Sequence, residues 1–241
     1  AEIKPRLTEL EHGDTPPYDV LRKMMATFGL DEMARMRFAK QMAREKEGGA
    51  AKKERERTTE DIGRQLIPII ELCRYCPGMV TALGVSVGLA GNAVLSKGTP
   101  AQKERWALPL LTLEKIGAWA ITESGSGSDA FGGMKSTARR DGAGYVLNGS
   151  KTFITNGPYA DTIIFICKLD EGNDPKKRKV LTFILDSGMP GLTQSKPMRK
   201  MGLHSSPTGE LFLEDVRVGP EHLLGETEDA PARSGAKTTF S

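Results

Sequence analysis

Several clusters in the 241-residue sequence hold residue types able to do chemistry. Cys73-Arg-Tyr-Cys76 has CxxC spacing. A zinc site needs two further ligands at suitable spacing, and Cys167, His12, His204 and His222 are scattered along the chain. A redox CxxC opens a helix after a strand, whereas this one closes a helical stretch before Pro77, so two ordinary buried thiols are expected. Gly144, Gly149, Ser150 and Lys151 nearly match a P-loop with the lysine one place late. A P-loop leads from a strand into a helix, but Lys151 runs on into the strand-like Thr152-Phe153-Ile154-Thr155. Gly125-Ser-Gly127-Ser-Asp-Ala130 fits GxGxx[GA], yet β-type sequence follows it, which excludes a βαβ dinucleotide unit. Its glycines and serines can still present backbone N–H groups and hydroxyls to a phosphate or a flavin edge. The acids Glu123, Asp129, Glu214 and Asp215 are each candidate bases, without a spacing that pairs them. No nucleophile elbow for Ser-His-Asp chemistry is present.

The elements that position these residues change character near residue 117. Before it the pattern is helical. Val20, Leu21, Met24, Met25, Phe28, Met33, Met36 and Met42 recur at helical spacings across an interruption at Gly29, as core positions. The charged run from Lys40 to Arg57 reads as a solvated helix end and loop. A helix over Glu60 to Arg74 bends or restarts at Pro68. Pro77 to Ser96 is uncharged, with Gly84 and Gly88 in GxxxG spacing. It is too rich in small and polar residues for a membrane span, so a helix buried on most sides is expected, ending on a left-handed Gly98. Thr99-Pro100 supplies an N-cap and first-turn proline for a helix through Leu110.

After residue 117 the pattern is β: Ala118 to Thr122, Lys135 to Arg140, Tyr145 to Asn148, Lys151 to Thr155, Asp161 to Leu169, Val180 to Asp186 and Glu210 to Val218. Asp141-Gly142, Asn148-Gly149 and Asn156-Gly157 are hairpin-turn signals. The expected fold class is α+β: an N-terminal α-helical domain (1–117), a β-barrel-like middle domain (118–226) and a polar tail (227–241). With 34 Lys+Arg against 31 Asp+Glu, 38% hydrophobic and 27% charged residues, the chain is neither disordered nor a dedicated nucleic-acid binder. Three cysteines and a polar N-terminus point to a reduced, cytoplasmic protein without a membrane span.

Taken together, four stretches resemble the acyl-CoA dehydrogenase family: Trp119-Ala-Ile-Thr-Glu-Ser-Gly-Ser-Gly-Ser-Asp129, Asn148-Gly-Ser-Lys-Thr-Phe-Ile-Thr-Asn-Gly157, Met201 to Thr208, and Phe212-Leu-Glu-Asp-Val-Arg-Val218. They follow the family's order of a Thr-Glu-x-Gly-x-Gly-Ser-Asp stretch, an NGxKxWITN hairpin and an FEDVxVP strand. Phe153 stands for the commoner tryptophan, Trp119 for tyrosine, Ser124 for proline, and Gly219 for the proline of FEDVxVP. The resemblance implies FAD-dependent oxidation of the Cα–Cβ bond of an acyl-CoA thioester to the trans-2-enoyl-CoA, with a glutamate as base. Position by position, it implies FAD contacts from Trp119, Ile121, Thr122, Gly127, Ser128, Phe153, Ile154 and Thr155, with Ser128 also facing the substrate. Further implications are an electron-accepting flavoprotein partner and a homotetramer. The family's C-terminal four-helix domain, which carries the base, is expected to lie outside this chain, so the catalytic residue stays unassigned. The alternatives are a non-catalytic flavin- or acyl-CoA-binding subunit, and an acyl-CoA oxidase.

Overall fold

A computed structural model describes residues 3–13, 15–47 and 58–228. The chain divides into two compact units, residues 1–83 with 199–206, and residues 84–198 with 207–241. The first contains α1 (Leu7–His12), α2 (Tyr18–Thr27), α3 (Leu30–Lys46), α4 (Thr59–Cys73) and α5 (Pro77–Leu83). Gly29, at φ 62°, separates α2 from α3, a left-handed residue where glycine has no steric cost. Val20, Leu21, Met25, Phe38 and Met42 are buried, but Phe28, Met33 and Met36 are exposed, so the methionine-rich face is only partly core. Pro68 lies inside α4 without ending it. The charged stretch over 48–57 and the tail from 229 onward lie outside the described residues.

In this first unit the two thiols of the CxxC part company. Cys73 is exposed and Cys76 buried, which corrects the expectation of two buried thiols. The Cys76 Sγ donates to Glu11 Oε1 (2.8 Å) and lies 3.1 Å from Ser205 Oγ, whose hydroxyl donates to the same carboxylate (2.6 Å). This cluster fastens the 199–206 loop to α1. Burial, reinforced by the Glu11 charge, pushes the Cys76 thiol up to about 11.

The second unit opens with a π-helical stretch Gly84–Gly91, then α6 (Asn92–Lys97), α7 (Pro100–Gln102), a second π-helical stretch Lys103–Ala107 and α8 (Leu108–Leu111). Helix Pro77–Lys97 is long and apolar enough to cross a membrane by composition, and 39% of its apolar window is buried. The burial is one-sided: Met79, Ala82, Ser86, Ala90 and Val94 are buried while Thr81, Gly84, Asn92 and Ser96 are exposed. The expectation of burial on most sides is therefore corrected. Nothing lies within 4 Å of a Cβ placed at Gly84 or Gly88, so their GxxxG spacing makes no close packing among the described residues. Gly98 is extended (φ −71°, ψ 155°) rather than left-handed; the close approach of the Val94 carbonyl, 2.6 Å from a Cβ there, is what requires glycine. Thr99 and Gln102 form a capping box, as Thr99-Pro100 predicts. The buried Gln102 amide reaches the carbonyls of Glu221 and Leu223, and Trp106 Nε1 donates to Asp186 Oδ1 (2.9 Å).

The strands are β1 (Gly117–Ala120), β2 (Thr137–Asp141), β3 (Gly144–Thr155), β4 (Thr162–Leu169), β5 (Val180–Asp186), β6 (Leu192–Gln194) and β7 (Thr208–Val218). They form one mixed sheet in the order β1-β4-β2-β3-β7-β6, with β5 on β4. β1 and β2 both pair parallel to β4, and the remaining pairs are antiparallel. One face encloses a core of Ala118, Leu147, Ile163, Phe165, Phe183 and Leu211 among others. Alternation along β1 therefore puts Trp119 on the opposite face, beside Ile164 in register.

Of the three expected hairpin turns, only Asp141-Gly142 joins paired strands, β2 and β3. Asn148-Gly149 lies inside β3 at a register shift against β7, a bulge with Gly149 at φ 148°. Asn156, at φ 64°, ends β3, but β4 follows without pairing to it. The near P-loop is accordingly an unbroken strand, and β6 is an element the sequence pattern does not mark.

Candidate flavin-facing site

The segment following β1 and the end of β3 run side by side in the second unit. Thr152 N donates to the Thr122 carbonyl (2.9 Å), and the buried Asn156 side chain donates to the Gly117 carbonyl (2.9 Å). Gly117 N in turn donates to Ser86 Oγ (2.8 Å), tying β1 to the π-helical stretch. The sequence-expected positions 119, 121 and 122 are thereby brought next to 153, 154 and 155.

Their side chains differ in availability. Trp119 is buried, and its indole Nε1 has no hydrogen-bond partner among the described residues. Such an orphaned donor costs about 1–3 kcal/mol unless something else accepts from it. Phe153, at φ 57°, is 67% exposed, an unusual fate for an aromatic ring next to a packed sheet. Thr122 and Thr155 are half-buried. Ile154 is buried in the sheet core, so only its backbone can face a ligand, which narrows the role expected of it.

Gly127 and Ser128 lie on an exposed loop held by its own bonds. Glu123 and Ser126 form a two-way backbone bridge, Ser126 Oγ donates to the Asp129 carbonyl, and Gly133 N to the same carbonyl (3.0 Å). A turn rather than a helix follows Ala130, in agreement with excluding a βαβ unit. A groove of about 370 Å³ beside this loop is lined by Ser124, Gly125, Lys135, Ser136, Ser150 and Phe212, among others.

The candidate acids resolve into separate situations. Glu123 is buried and accepts from Lys135 N (2.7 Å), Ser136 N (3.0 Å) and Lys151 Nζ (2.9 Å). Burial alone would raise its carboxyl; the bonds from Ser136, Lys151 and Lys135 outweigh that and hold it below the usual carboxylate range. A carboxylate held ionised in this way is a weak base for a substrate proton. Asp129 caps its own turn at Gly132 N, Asp215 accepts from Asn148, and Glu214 is exposed. Sequence spacing marked Lys151 only as the lysine of a near P-loop, and neither that nor the NGxK pattern signals that its side chain is fully buried against Glu123. Among the described residues no group of three or more His, Cys, Asp or Glu could hold a metal.

The helical stretches before residue 117 and the mixed sheet after it match, in order, two domains of one protein family. The chain belongs to the acyl-CoA dehydrogenase family: the model of the family's N-terminal domain matches residues 1–114 and that of its middle domain residues 118–216. It is similar to the short-chain specific acyl-CoA dehydrogenase of Megasphaera elsdenii, 39% identical over 166 residues, covering 69% of this chain and 43% of that protein. The solved structure of butyryl-CoA dehydrogenase from Megasphaera elsdenii superposes with a TM-score of 0.75 at 32% identity, over 100% of this chain and 58% of that one. A glutaryl-CoA dehydrogenase from Mycobacterium smegmatis in complex with FADH2 superposes with a TM-score of 0.57 at 30% identity, over 68% and 42%. The chain thus spans about half the length of the relatives it matches.

Proposed function

We propose that this chain is the flavin-cradling part of an acyl-CoA dehydrogenase that converts an acyl-CoA thioester to the trans-2-enoyl-CoA. The observation that carries this reading is the exposed Phe153 ring, held at φ 57° on the segment adjoining the buried Trp119, whose indole Nε1 has no partner among the described residues. A flat heteroaromatic ring with polar edges matches that set: a face for Phe153, and an edge for the Thr122 and Thr155 hydroxyls. FAD has this chemistry and, when bound, supplies the hydride acceptor. The amides of the Gly127-Ser128 loop suit its pyrophosphate, and Ser128 also suits the pantetheine arm of the substrate. Ile154 contributes backbone alone.

On this reading the base that takes the α-proton is a glutamate of the family's C-terminal domain, and none of Glu123, Asp129 and Asp215 is given that role, since each is hydrogen-bonded to its own neighbours. By the same reading the substrate is an acyl-CoA, the redox partner an electron-accepting flavoprotein, the assembly a homotetramer, and the setting the reducing cytoplasm that three free thiols suit. A helical N-terminal domain ending near residue 117, with the middle domain following to 226, is retained as part of the proposal. The test is a titration of the purified chain with FAD. Binding is expected, and Thr155→Val and Ser128→Ala each lose one hydrogen bond, so affinity falls about tenfold. Wild-type affinity in both variants would remove those residues from the site. Anaerobic bleaching by an acyl-CoA is expected only once the base is restored; peroxide formation at the turnover rate would make the protein an oxidase instead.

A further inference from the structure

Lys151 lies entirely inside the sheet core, with its ammonium shared between Glu123 Oε1 (2.9 Å) and the backbone carbonyl of Ile121 (3.1 Å), 5.3 Å from the centre of the Phe165 ring. We propose that Lys151 and Glu123 are positioning residues: a buried clamp that sets the flavin-facing Trp119–Glu123 segment against the Phe153–Thr155 segment. This rests on the flavin reading above.

Three successive residues of the first segment are each held from outside it. Ile121 is held by Lys151 Nζ, Thr122 by Thr152 N, and Glu123 by Lys151 together with the amides of Lys135 and Ser136. Lys151 sits two residues before Phe153 on β3, so one ammonium references both segments to each other. Burial pulls the Lys151 ammonium down and the Glu123 hydrogen bond restores part of that, while the bonds from Ser136, Lys151 and Lys135 hold the Glu123 carboxyl below the usual range against its own burial. Stability is a poor reason for such a pair. Isosteric apolar replacement of a buried ion pair is often neutral, whereas removing one partner is strongly destabilising. What an apolar pair cannot reproduce is the bond to the Ile121 carbonyl.

That difference defines the experiment. Glu123→Gln/Lys151→Met removes both charges and keeps the shape, and its one side-chain oxygen can accept from either the Lys135 or the Ser136 amide, which use separate oxygens of Glu123. The wild-type chain, the double variant and Glu123→Gln alone are compared by urea unfolding, by amide hydrogen exchange without flavin, and by FAD titration. The double variant is expected to unfold near the wild-type urea midpoint. The Thr152 amide, which reports the bond to Thr122, should nevertheless exchange at least tenfold faster, with β4 amides unchanged and FAD binding at least tenfold weaker. Wild-type exchange at Thr152 in the double variant would overturn the clamp, whether or not flavin binds. Should that variant not fold, Glu123→Gln decides, read as exchange at Thr152 relative to the β4 amides so that a global loss of stability cancels: Lys151 keeps the Ile121 carbonyl, so exchange rises at whichever of Lys135 and Ser136 loses its acceptor, and the Thr152-to-β4 ratio stays at the wild-type value. A raised ratio there would equally overturn the proposal. A wild-type chain that binds no FAD defeats the flavin reading and leaves the exchange comparison to decide the clamp.

Discussion

Replacing Gly117 by alanine drives a methyl group into the seam where β1 meets the helices of its own unit. A Cβ at this position lies 2.7 Å from Ala90 Cβ, 3.0 Å from Leu110 Cδ2 and 3.3 Å from the Ser86 carbonyl. Carbon atoms pack best at about 3.5–4.0 Å, so the strand has to move by about 1 Å. It is poorly free to move: Gly117 N donates to Ser86 Oγ, its carbonyl accepts from Asn156, and β1 pairs with β4 from Gly117 to Ala120. Overpacking costs about 1–3 kcal/mol, and each buried bond broken to relieve it about 1–3 kcal/mol. A loss of about 3 kcal/mol follows, which at a urea slope of about 2 kcal/mol/M lowers the unfolding midpoint by about 1.5 M. Gly88→Ala is the control, a helical glycine with nothing within 4 Å, and is expected to be neutral or to stabilise by up to about 1 kcal/mol. Because Trp119 lies two residues along the displaced strand, FAD affinity should fall in Gly117→Ala and hold in Gly88→Ala. A Gly117→Ala midpoint within about 0.3 M of wild type, on the same slope, would refute the packing argument.

Native thiol titration at pH 8 should modify one cysteine, Cys73, and three after denaturation. Burial raises the Cys76 thiol to about 11 and the Cys167 thiol to about 12 and closes both to reagent; two fast equivalents in the native protein would contradict this. The ionised Glu123 gives stability that is present above the ordinary carboxylate range and lost as pH falls through its depressed folded value. Urea midpoints measured from pH 7 down to 3 should therefore drop more steeply for wild type than for Glu123→Gln, and superimposed acid limbs would show that the carboxylate is not depressed. Asn156→Ala loses the bond to the buried Gly117 carbonyl and places alanine at φ 64°, for a loss of about 2–3 kcal/mol in urea unfolding; a loss under about 1 kcal/mol would show that Gly117 finds another donor.

Much of the architecture was legible because local signals and tertiary packing agree. Thr99-Pro100 caps the helix it predicts, and the apolar β4 and β5 stretches are strands at the expected positions. Disagreement arose where pairing partners distant in sequence decide. Asn148-Gly149 looks like a hairpin turn, but β7 pairs on both sides of it and makes it a bulge. The three-residue β6 has no periodicity to read and exists because β7 offers an edge. Parallel pairing of β1 with β4 joins segments separated by two other strands. At the site, the Trp-x-x-Thr-Glu and NGxK motifs mark two segments that the fold sets side by side. Sequence could not show that Glu123 pairs with Lys151, that Ile154 points into the core, or that the Trp119 indole lacks an acceptor among the described residues, since each depends on side-chain direction after folding.

The central claim, that the Trp119 face is where a flavin ring belongs, has a direct spectroscopic reporter. The chain contains two tryptophans, so a ¹⁵N-labelled sample gives two indole N–H resonances. Trp106 already donates to Asp186, whereas Trp119 has no acceptor among the described residues. On addition of FAD the Trp119 indole resonance should shift downfield and saturate with the flavin signal, while that of Trp106 stays in place. A Trp119 resonance unmoved at saturating FAD, or a shift confined to Trp106, would contradict the account.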